Sequence, residues 1–233
     1  MKREYHAMTL SRLAYLEKED IIKQLPNGFE FVVFFTFDEV QGFVCKCDEG
    51  EVLAFRGSEA KINDWKANFD ITLKNTDIGR VQEGYYNALM DCEDMIRCFI
   101  RDKKVLVTGH SAGGAYSVLY SKILDARHGF DTKCIAFEPP RVCDTHKFNP
   151  KVFFTINSAD IVPRFPLKAM HYRHTGTLIY FTPSGKAKEN TKFIKRLVNF
   201  FTDIDDVVKD HECYPIEKLW FKKWETIKNI LNK

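Results

Sequence analysis

The sequence predicts an α/β fold with a central, mostly parallel β-sheet, antiparallel strands at its N-terminal end and helices on both faces. Apolar, strand-like runs alternate with helical segments over the central part of the chain, which is typical of α/β layers. One of these runs, 104–108, is short and apolar after its first residue, as strands buried on both faces of a parallel sheet are. The earlier aromatic and β-branched runs are separated by polar turns, which indicates antiparallel strands entering the sheet.

The N-terminal elements are a predicted helix and three predicted strands. Apolar residues recur at spacings near three and four over 9–25, which predicts an amphipathic helix ending at the Pro-Asn-Gly sequence 26–28. Strands are predicted at 29–35, 40–45 and 52–55, where aromatic and β-branched residues predominate. The apolar face of the helix is predicted to hold Leu10, Leu13, Leu16, Ile21 and Ile22.

The central elements alternate between helix and strand. The periodicity predicts a long helix over 80–101, which leads into the strand 104–108. A helix over 115–124 follows, and then strands at 132–137 and 151–157. The alternation places the carboxyl ends of these parallel strands at one edge of the sheet, where α/β proteins build their sites.

The composition is that of a globular domain and excludes several classes of protein. The 233 residues are 45% hydrophobic and include only 12 Gly and 8 Pro, which argues against collagen-like and broadly disordered chains. No apolar run is long enough to span a membrane. Basic and acidic residues are interspersed and the net charge is only +3, so we expect no nucleic-acid partner. Without a linker or an internal repeat, we expect a single domain over 1–233, and we favour a monomer.

The cysteines and the N-terminal sequence bear on the expected compartment. Seven cysteines form no CxxC pattern and no zinc-ligand spacing, and an odd number cannot all pair within one chain. The N-terminal sequence lacks the apolar run and the cleavage site of a signal peptide. We therefore expect reduced thiols, no metal site, and a cytoplasmic or peripheral membrane location.

The most specific motif is a GxSxG pattern at 109–113, between a predicted strand and a predicted helix. A strand-to-helix turn this tight strains the backbone at Ser111, and Gly109 and Gly113 leave room for the neighbouring elements. The turn exposes the serine hydroxyl beside helix-starting amide groups, which stabilise negative charge on a substrate oxygen. The pattern predicts that Ser111 is a nucleophile and that His110, inside the turn, points away from it.

A serine nucleophile requires a histidine base, and the residues alone leave the choice of histidine open. The acid and the base are expected downstream of the serine. His171 and His174 are three residues apart, a spacing that also suits a metal pair but lacks a third ligand. His211 lies later, in a short polar interruption of apolar sequence.

The acid is predicted at Asp160, which follows the strand 151–157 closely. This position places its carboxylate at the carboxyl edge of the sheet, on the same side as Ser111. Three rivals are more simply turn or cap residues, namely Asp125, Asp131 and Asp144.

Seven short blocks, in this order, match one known pattern. They are FRGS at 55–58, VQEGY at 81–85, GHSAGG at 109–114, PRV at 140–142, DIVPRFP at 160–166, HTG at 174–176 and DHECY at 210–214. Together they resemble the signature blocks of the class 3 lipases, the fungal triacylglycerol lipase-like branch of the α/β-hydrolases. The resemblance covers about residues 10–215 and implies an α/β-hydrolase fold.

The resemblance implies roles for particular residues. It maps the family's triad onto Ser111, Asp160 and His211. It also implies that His174 is a structural element near the site rather than the base.

The resemblance further implies an oxyanion hole made by the backbone amides of Ser58 and Ala112. The block 55–58 ends a predicted strand, so its amides can face the elbow; a serine at 58 also suits the cap of a following helix, and the two roles are compatible. The chain departs from the family pattern at Ala112, where leucine is usual, which predicts a smaller pocket floor. It also carries EPPRVC at 138–143 instead of a glycine-flanked block, which predicts a stiffer loop near the acid.

Two amphipathic segments are candidates for contact with lipid. The resemblance implies a mobile lid after the block 55–58, with Ile62, Trp65 and Phe69 on one face, although a helix packed on the core fits the same pattern. A C-terminal helix over 216–233 has one apolar face among lysines, which suits either a membrane surface or, as we favour, the domain's own core. That face holds Trp220, Trp224, Ile227 and Leu231.

The function expected from the sequence is that of a serine esterase of the class 3 lipase type, cleaving fatty acyl esters such as acylglycerols without a cofactor. Its expected partners are a lipid ester substrate and the surface of a membrane or lipid droplet. Three alternatives stay open: a phospholipase A1, a thioesterase, and a catalytically silent lipid-binding homologue.

Overall fold

An eight-stranded sheet forms the centre of the molecule. The computed structural model describes residues 1–58, 71–145, 151–158, 160–190 and 211–232. The strands of this sheet are β1 (Glu30–Phe37), β2 (Val40–Cys47), β3 (Gly50–Phe55), β6 (Lys104–His110), β7 (Asp131–Phe137), β8 (Lys151–Asn157), β9 (Thr177–Phe181) and β10 (Ala187–Glu189). A separate antiparallel pair consists of β4 (Leu73–Thr76) and β5 (Gly79–Gln82).

The sheet is antiparallel at both edges and parallel in the middle. Its strand order is β1-β2-β3-β6-β7-β8-β9-β10. The pairs β1–β2, β2–β3 and β9–β10 are antiparallel, and every pair from β3 to β9 is parallel. The predicted fold class, a mostly parallel sheet with antiparallel N-terminal strands, is confirmed.

Helices cover both faces of this sheet. They are α1 (Lys2–Tyr5), α2 (Ala7–Leu13), α3 (Lys18–Gln24), α4 (Glu83–Phe99), α5 (Ala112–His128), α6 (Cys213–Lys222) and α7 (Trp224–Leu231). Because side chains alternate along a strand, Leu53 of β3 packs into an apolar cluster with α4 and α5. Its neighbour Val52 packs into a second cluster with α2, α6 and α7. The prediction of helices on both faces is therefore confirmed.

The single helix predicted over 9–25 is wrong, because the structure divides it into α2 and α3. The chain leaves helical geometry around Tyr15 and starts a new helix after Glu17. Glu19 and Asp20 lie in the first turn of α3, where acidic side chains complement the positive end of the helix dipole. Ile22 is 46% exposed, so it does not belong to the buried face that the spacing predicts.

The helix predicted over 80–101 begins three residues later than expected. Residues 80–82 belong to β5, and the side chain of Gln82 caps α4 by accepting a hydrogen bond of 2.6 Å from the amide of Tyr85. The strands β4, β9 and β10 lie in segments for which no element was predicted.

The C-terminal segment packs onto the domain. The helix predicted over 216–233 is two helices that meet at Lys223. Trp220 is fully buried, donates a hydrogen bond of 3.0 Å to the carbonyl of Tyr5, and meets the Phe137 ring edge to face. Ile227 is also buried, so this apolar face stabilises the fold and does not face a membrane. None of the helices in the described part of the chain is long and apolar enough to cross a bilayer.

All seven cysteines lie in described segments, and the structure joins none of them in a disulfide. Burial raises the pKa of both Cys134 and Cys143 to about 12. These thiols are therefore protonated at neutral pH and act as small apolar side chains.

Candidate active site

The GxSxG motif forms a tight turn between β6 and α5. Strand β6 ends at His110 and helix α5 begins at Ala112, so Ser111 makes the whole reversal, with φ 56° and ψ −124°. Its amide donates a hydrogen bond of 2.9 Å to the carbonyl of Phe137, which ties the turn to β7. A positive φ is unfavourable for serine, and the strain is held at a single buried residue.

The two glycines of the motif are required by close backbone contact. A Cβ atom on Gly113 would lie 2.3 Å from the carbonyl oxygen of Phe55 and 2.8 Å from the carbonyl carbon of Arg56. A Cβ on Gly109 would lie 2.4 Å from the backbone of Gly113. Helix α5 therefore lies directly against the ends of β3 and β6, which fixes the direction of Ser111.

The variant Gly113→Ala tests this packing. We expect it to lower the free energy of unfolding by about 2 to 3 kcal/mol, because the added methyl group meets backbone atoms that cannot move cheaply. In urea the unfolding midpoint should fall by about 1 M.

Gly84→Ala is the matched control. Gly84 lies near the start of α4, and its added Cβ would meet the side-chain amide nitrogen of Gln82 at 3.2 Å, a contact that a shift of about a few tenths of an ångström in this capping side chain relieves. Its unfolding free energy should stay within about 1 kcal/mol of the wild-type value, since alanine is the better helix former. Equal midpoints for Gly113→Ala and wild type would show that the elbow is less tightly packed than described.

Three side chains from distant parts of the chain form one hydrogen-bonded chain. The Oγ of Ser111 lies 2.8 Å from Nε2 of His211, and Nδ1 of the same ring lies 2.8 Å from Oδ2 of Asp160. The first distance allows His211 to take the serine proton as a general base, and the second allows Asp160 to orient the ring. The structure thus brings together the three residues predicted as nucleophile, base and acid.

Asp160 lies just beyond the carboxyl end of β8 and is fully buried. Its Oδ1 accepts a hydrogen bond of 2.9 Å from the amide of Val162, which leaves Oδ2 directed at the histidine. Arg164 fixes the loop by donating to the backbone carbonyls of Asp160 at 2.9 Å and Ser158 at 2.8 Å. The backbone of its own loop therefore holds the Asp160 carboxylate in place.

Helix α6, which starts two residues after His211, is anchored to α2 by a buried polar contact. Glu217 accepts hydrogen bonds from the hydroxyl of Thr9 at 2.6 Å and from Nε of Arg12 at 2.8 Å. With the buried Trp220, this contact fixes the start of α6 near the elbow. The C-terminal segment packs on the domain's own core, as favoured from the sequence, and its first helix begins just after the proposed base.

A cavity of about 370 Å³ opens at the triad. Besides Ser111, His110 and His211 it is lined by Arg12, Tyr15, Leu16, Ser58, Val162, Glu212 and Cys213. Tyr15 and Leu16 lie in the break between α2 and α3. The prediction of one continuous helix over 9–25 therefore missed that they line the cavity. The acidic start of α3 is the sequence signal that could have revealed this break.

The two predicted oxyanion-hole residues lie on different elements, one at the cavity and one at the start of α5. Ser58 lines the cavity, and Ala112 is the first residue of α5, where amide groups lack partners within the helix. The preceding Gly57 lies in close contact with Tyr15 and with the elbow. An added Cβ would lie 2.0 Å from the Tyr15 hydroxyl and 2.5 Å from the carbonyl of His110. The lid residues Ile62, Trp65 and Phe69 lie outside the described residues.

The ring of His110 contacts Tyr15 and His211, and its direction away from Ser111 stays a prediction. Its Nδ1 lies 2.9 Å from the Tyr15 hydroxyl, and its ring lies 4.7 Å from that of His211. Burial, and then the charge of His211, lower the pKa of His110 well below its ordinary value, so this ring is neutral at pH 7. A ring with so low a pKa is a weaker base than an ordinary histidine.

Glu138 is a buried residue at the site for which no role was predicted. Its Oε2 lies 3.4 Å from Nδ1 of His211 and 3.7 Å from Nε2 of His110. Within the described segments, these three residues form a grouping whose potential metal-ligand atoms lie within 4.8 Å of one another. Both ring nitrogens of His211 already face Ser111 and Asp160, so a metal ion there would compete with the triad.

The other candidate histidines and acids lie elsewhere. His174 stacks on Phe154 and its Nε2 lies 2.6 Å from the carbonyl of Pro163, a structural contact beside the acid loop. His171 is exposed. Asp131 begins β7, at the far end of that strand from the elbow. Asp125 lies 4.0 Å from Lys122 on α5, and the amide of Asp144 donates to the carbonyl of Arg80.

A mostly parallel sheet with a serine at a strand-to-helix elbow, and an acid and a histidine after later strands, is the architecture of the α/β-hydrolases. Residues 52–170 match the family model described as lipase (class 3). This match spans half of the chain, and the protein belongs to the class 3 lipase family.

Individual relatives agree with this placement. The chain is 29% identical over 114 residues to the secreted mono- and diacylglycerol lipase MDL2 of Malassezia globosa, covering 44% of this chain and 38% of MDL2. It is 29% identical over 161 residues to MDL3 of the same organism, covering 58% of this chain and 53% of MDL3. The matched regions thus span about half of these relatives or less. The structure superimposes on Rhizomucor miehei triacylglyceride lipase with a TM-score of 0.64 at 19% identity, covering 81% and 82% of the two chains, which shows a shared fold.

Proposed function

We propose that this protein is a serine carboxylic-ester hydrolase, a lipase that cleaves fatty acyl esters such as acylglycerols. The observation that carries the proposal is the hydrogen-bonded chain from Ser111 through His211 to Asp160, built on a GxSxG elbow. Membership of the class 3 lipase family supports a lipid ester as the substrate.

In the first half of the proposed reaction, the Oγ of Ser111 attacks the ester carbonyl carbon. Its proton passes to Nε2 of His211, 2.8 Å away, and Asp160 stabilises the resulting imidazolium through Nδ1–H. The backbone amides of Ser58 and Ala112 bind the oxyanion of the tetrahedral intermediate. When this intermediate collapses, the bond to the alcohol breaks, the alcohol takes the proton from Nε2, and the acyl group stays on the serine.

In the second half, water takes the place of the alcohol. His211 accepts a proton from the water as its oxygen attacks the acyl carbonyl, and the same amides hold the second oxyanion. The intermediate then breaks the ester bond to Ser111, whose Oγ recovers the proton from Nε2. The fatty acid leaves. Each proton that His211 accepts is returned, first to the alcohol and then to Ser111, so the cycle ends with the starting enzyme.

The cavity suits an acyl ester in size and lining. Its volume of about 370 Å³ is within the range of small-molecule sites, and Leu16 and Val162 supply apolar surface beside the serine. We infer that the acyl chain enters along these side chains.

Three further features stay predictions. They are the amphipathic lid with Ile62, Trp65 and Phe69, contact with a lipid surface, and the compartment. The two Malassezia relatives are named as secreted lipases.

A substrate panel tests the proposed reaction and separates it from its alternatives. We expect hydrolysis of emulsified mono-, di- or triacylglycerol to be fastest, followed by titration of the released fatty acid. Phosphatidylcholine and an acyl thioester should be cleaved at least about tenfold more slowly, because the two Malassezia relatives are named as mono- and diacylglycerol lipases. A preference for phosphatidylcholine or for the thioester would assign the site to a phospholipase A1 or a thioesterase instead.

The Ser111→Ala variant, measured with every substrate of this panel, is the control for contaminating esterases. Fatty acid release by the wild type that persists in the variant would not come from this site. Absence of release from every ester by a folded wild-type protein would favour the catalytically silent, lipid-binding alternative.

A further inference from the structure

Two carboxyl groups, not one, face the proposed base. Nδ1 of His211 lies 2.8 Å from Oδ2 of Asp160 and 3.4 Å from Oε2 of Glu138. Both acidic side chains are completely buried, whereas the histidine side chain keeps 10% of its exposure. A buried carboxyl group at this distance from a titrating ring interacts with it strongly, because water does not screen the pair.

The neighbouring strand β8 fixes the position of Glu138. The residue follows the last residue of β7, and its amide donates a hydrogen bond of 3.2 Å to the hydroxyl of Thr155. Its Oε1 accepts a hydrogen bond of 3.0 Å from the amide of Asn157. With Oε1 held in this way, Oε2 is directed toward the two histidine rings.

The backbone at Glu138 suggests that the carboxyl group is retained for a reason other than stability. Its φ is +52°, a conformation that glycine adopts freely and that costs other residues about 1 kcal/mol or more. The fold itself would therefore favour glycine at this buried position. The glutamate combines an unfavourable backbone conformation with a buried carboxyl group, and that carboxyl group faces the base.

Both histidine rings face the Glu138 carboxyl group, and the described charged groups nearby have further partners of their own. The ring of His110 is neutral, as described above. The guanidinium of Arg164 donates to backbone carbonyls of the acid loop. Arg12, which lines the cavity, pairs with Glu217. The remaining titratable side chains at the cavity are those of Tyr15, Glu212 and Cys213, from α2–α3 and the start of α6.

We propose that Glu138 is a positioning residue, a second carboxylate that acts with Asp160 on His211 during ester hydrolysis. This proposal rests on the proposed function. When the proton of Ser111 moves to Nε2, the ring becomes positive while its Nδ1–H stays in place. Asp160 accepts that hydrogen bond, and Glu138 stabilises the same positive charge from the side. No bond to Glu138 forms or breaks.

The variant Glu138→Gln tests the charge while keeping the shape, because the amide oxygen can still accept from Asn157. We expect kcat/KM at its plateau to fall about tenfold. We also expect the acid limb of its pH profile to move about one pH unit lower, since loss of a nearby negative charge disfavours the protonated ring and one pH unit corresponds to a tenfold change.

A purely structural role predicts a different result for this variant. It would lower the plateau or the urea midpoint and leave the acid limb in place, and that outcome would overturn the proposal, as would an unchanged profile. Glu138→Gly provides a second variant suited to φ +52°, and it should show the same shift of the acid limb. The wild-type profile keeps the two hypotheses apart: a wild type without ester hydrolysis refutes the proposed function, whereas an active wild type with an unshifted Glu138→Gln profile refutes only the role of Glu138.

Discussion

Replacing Ser111 by alanine is expected to lower kcat for ester hydrolysis about a million-fold, which leaves only the residual acceleration that the oxyanion hole and substrate binding supply. The serine oxygen is the triad atom that forms a bond to the substrate. Without it, His211 and Asp160 no longer contribute to catalysis either. The fold should persist, because the structure gives this hydroxyl a hydrogen bond to His211 and alanine fits the same backbone. Initial rates on the preferred ester of the panel, together with urea unfolding, measure both effects.

Ser121→Ala is the matched control for this variant. Ser121 is another buried serine of α5, and its hydroxyl donates to the carbonyl of Val118 at 2.9 Å, away from the cavity. Its replacement should leave kcat within about twofold of the wild-type value. If Ser111→Ala retained a tenth of wild-type activity while folded, the nucleophile would have to be another residue.

Replacing His211 by alanine is expected to lower kcat by a similar amount, about 10⁵- to 10⁶-fold. The serine hydroxyl then loses the base that accepts its proton, and the neighbouring His110, which contacts Tyr15, has a pKa too low to replace it well. Initial rates measured from pH 6 to pH 9 check this result, and the loss should persist across that range.

His171→Asn is the control that distinguishes His211 from another histidine considered as a candidate in the sequence. His171 is exposed and has φ 66°, a conformation that asparagine tolerates. This variant should keep wild-type kcat within about twofold. A large loss in His171→Asn, or a small loss in His211→Ala, would contradict the assignment of the base.

The residues that carry chemistry were the most predictable part of this molecule. Gly109 and Gly113 are recognisable because a tight turn between an apolar strand and a helix leaves no room for side chains, and the structure shows backbone contacts there. Asp160 was predictable because carboxyl ends of parallel strands share one edge. The choice of His211 over His174 depended on the family resemblance, since spacing alone allowed both.

The parts that the sequence did not reveal depend on contacts between distant segments. A continuous apolar period hid the break at Tyr15, although that break lines the cavity. The periodicity of the C-terminal helix was clear, but only the burial of Trp220 against Phe137 shows which surface it covers. In the sequence, Glu138 is only a departure from the family pattern in a loop. Its position beside His211 depends on the packing of β7 and β8, which the sequence does not show.

Covalent labelling with a fluorophosphonate probe is the most direct test of the central claim, because the reaction requires an activated serine. The Oγ of that serine attacks phosphorus, fluoride leaves, and the proton passes to the base. Intact-mass analysis of the wild type should show one adduct per chain, peptide mapping should place it on Ser111, and both Ser111→Ala and His211→Ala should fail to label. A folded wild-type protein that forms no adduct, or that carries the adduct on another residue, would contradict the account.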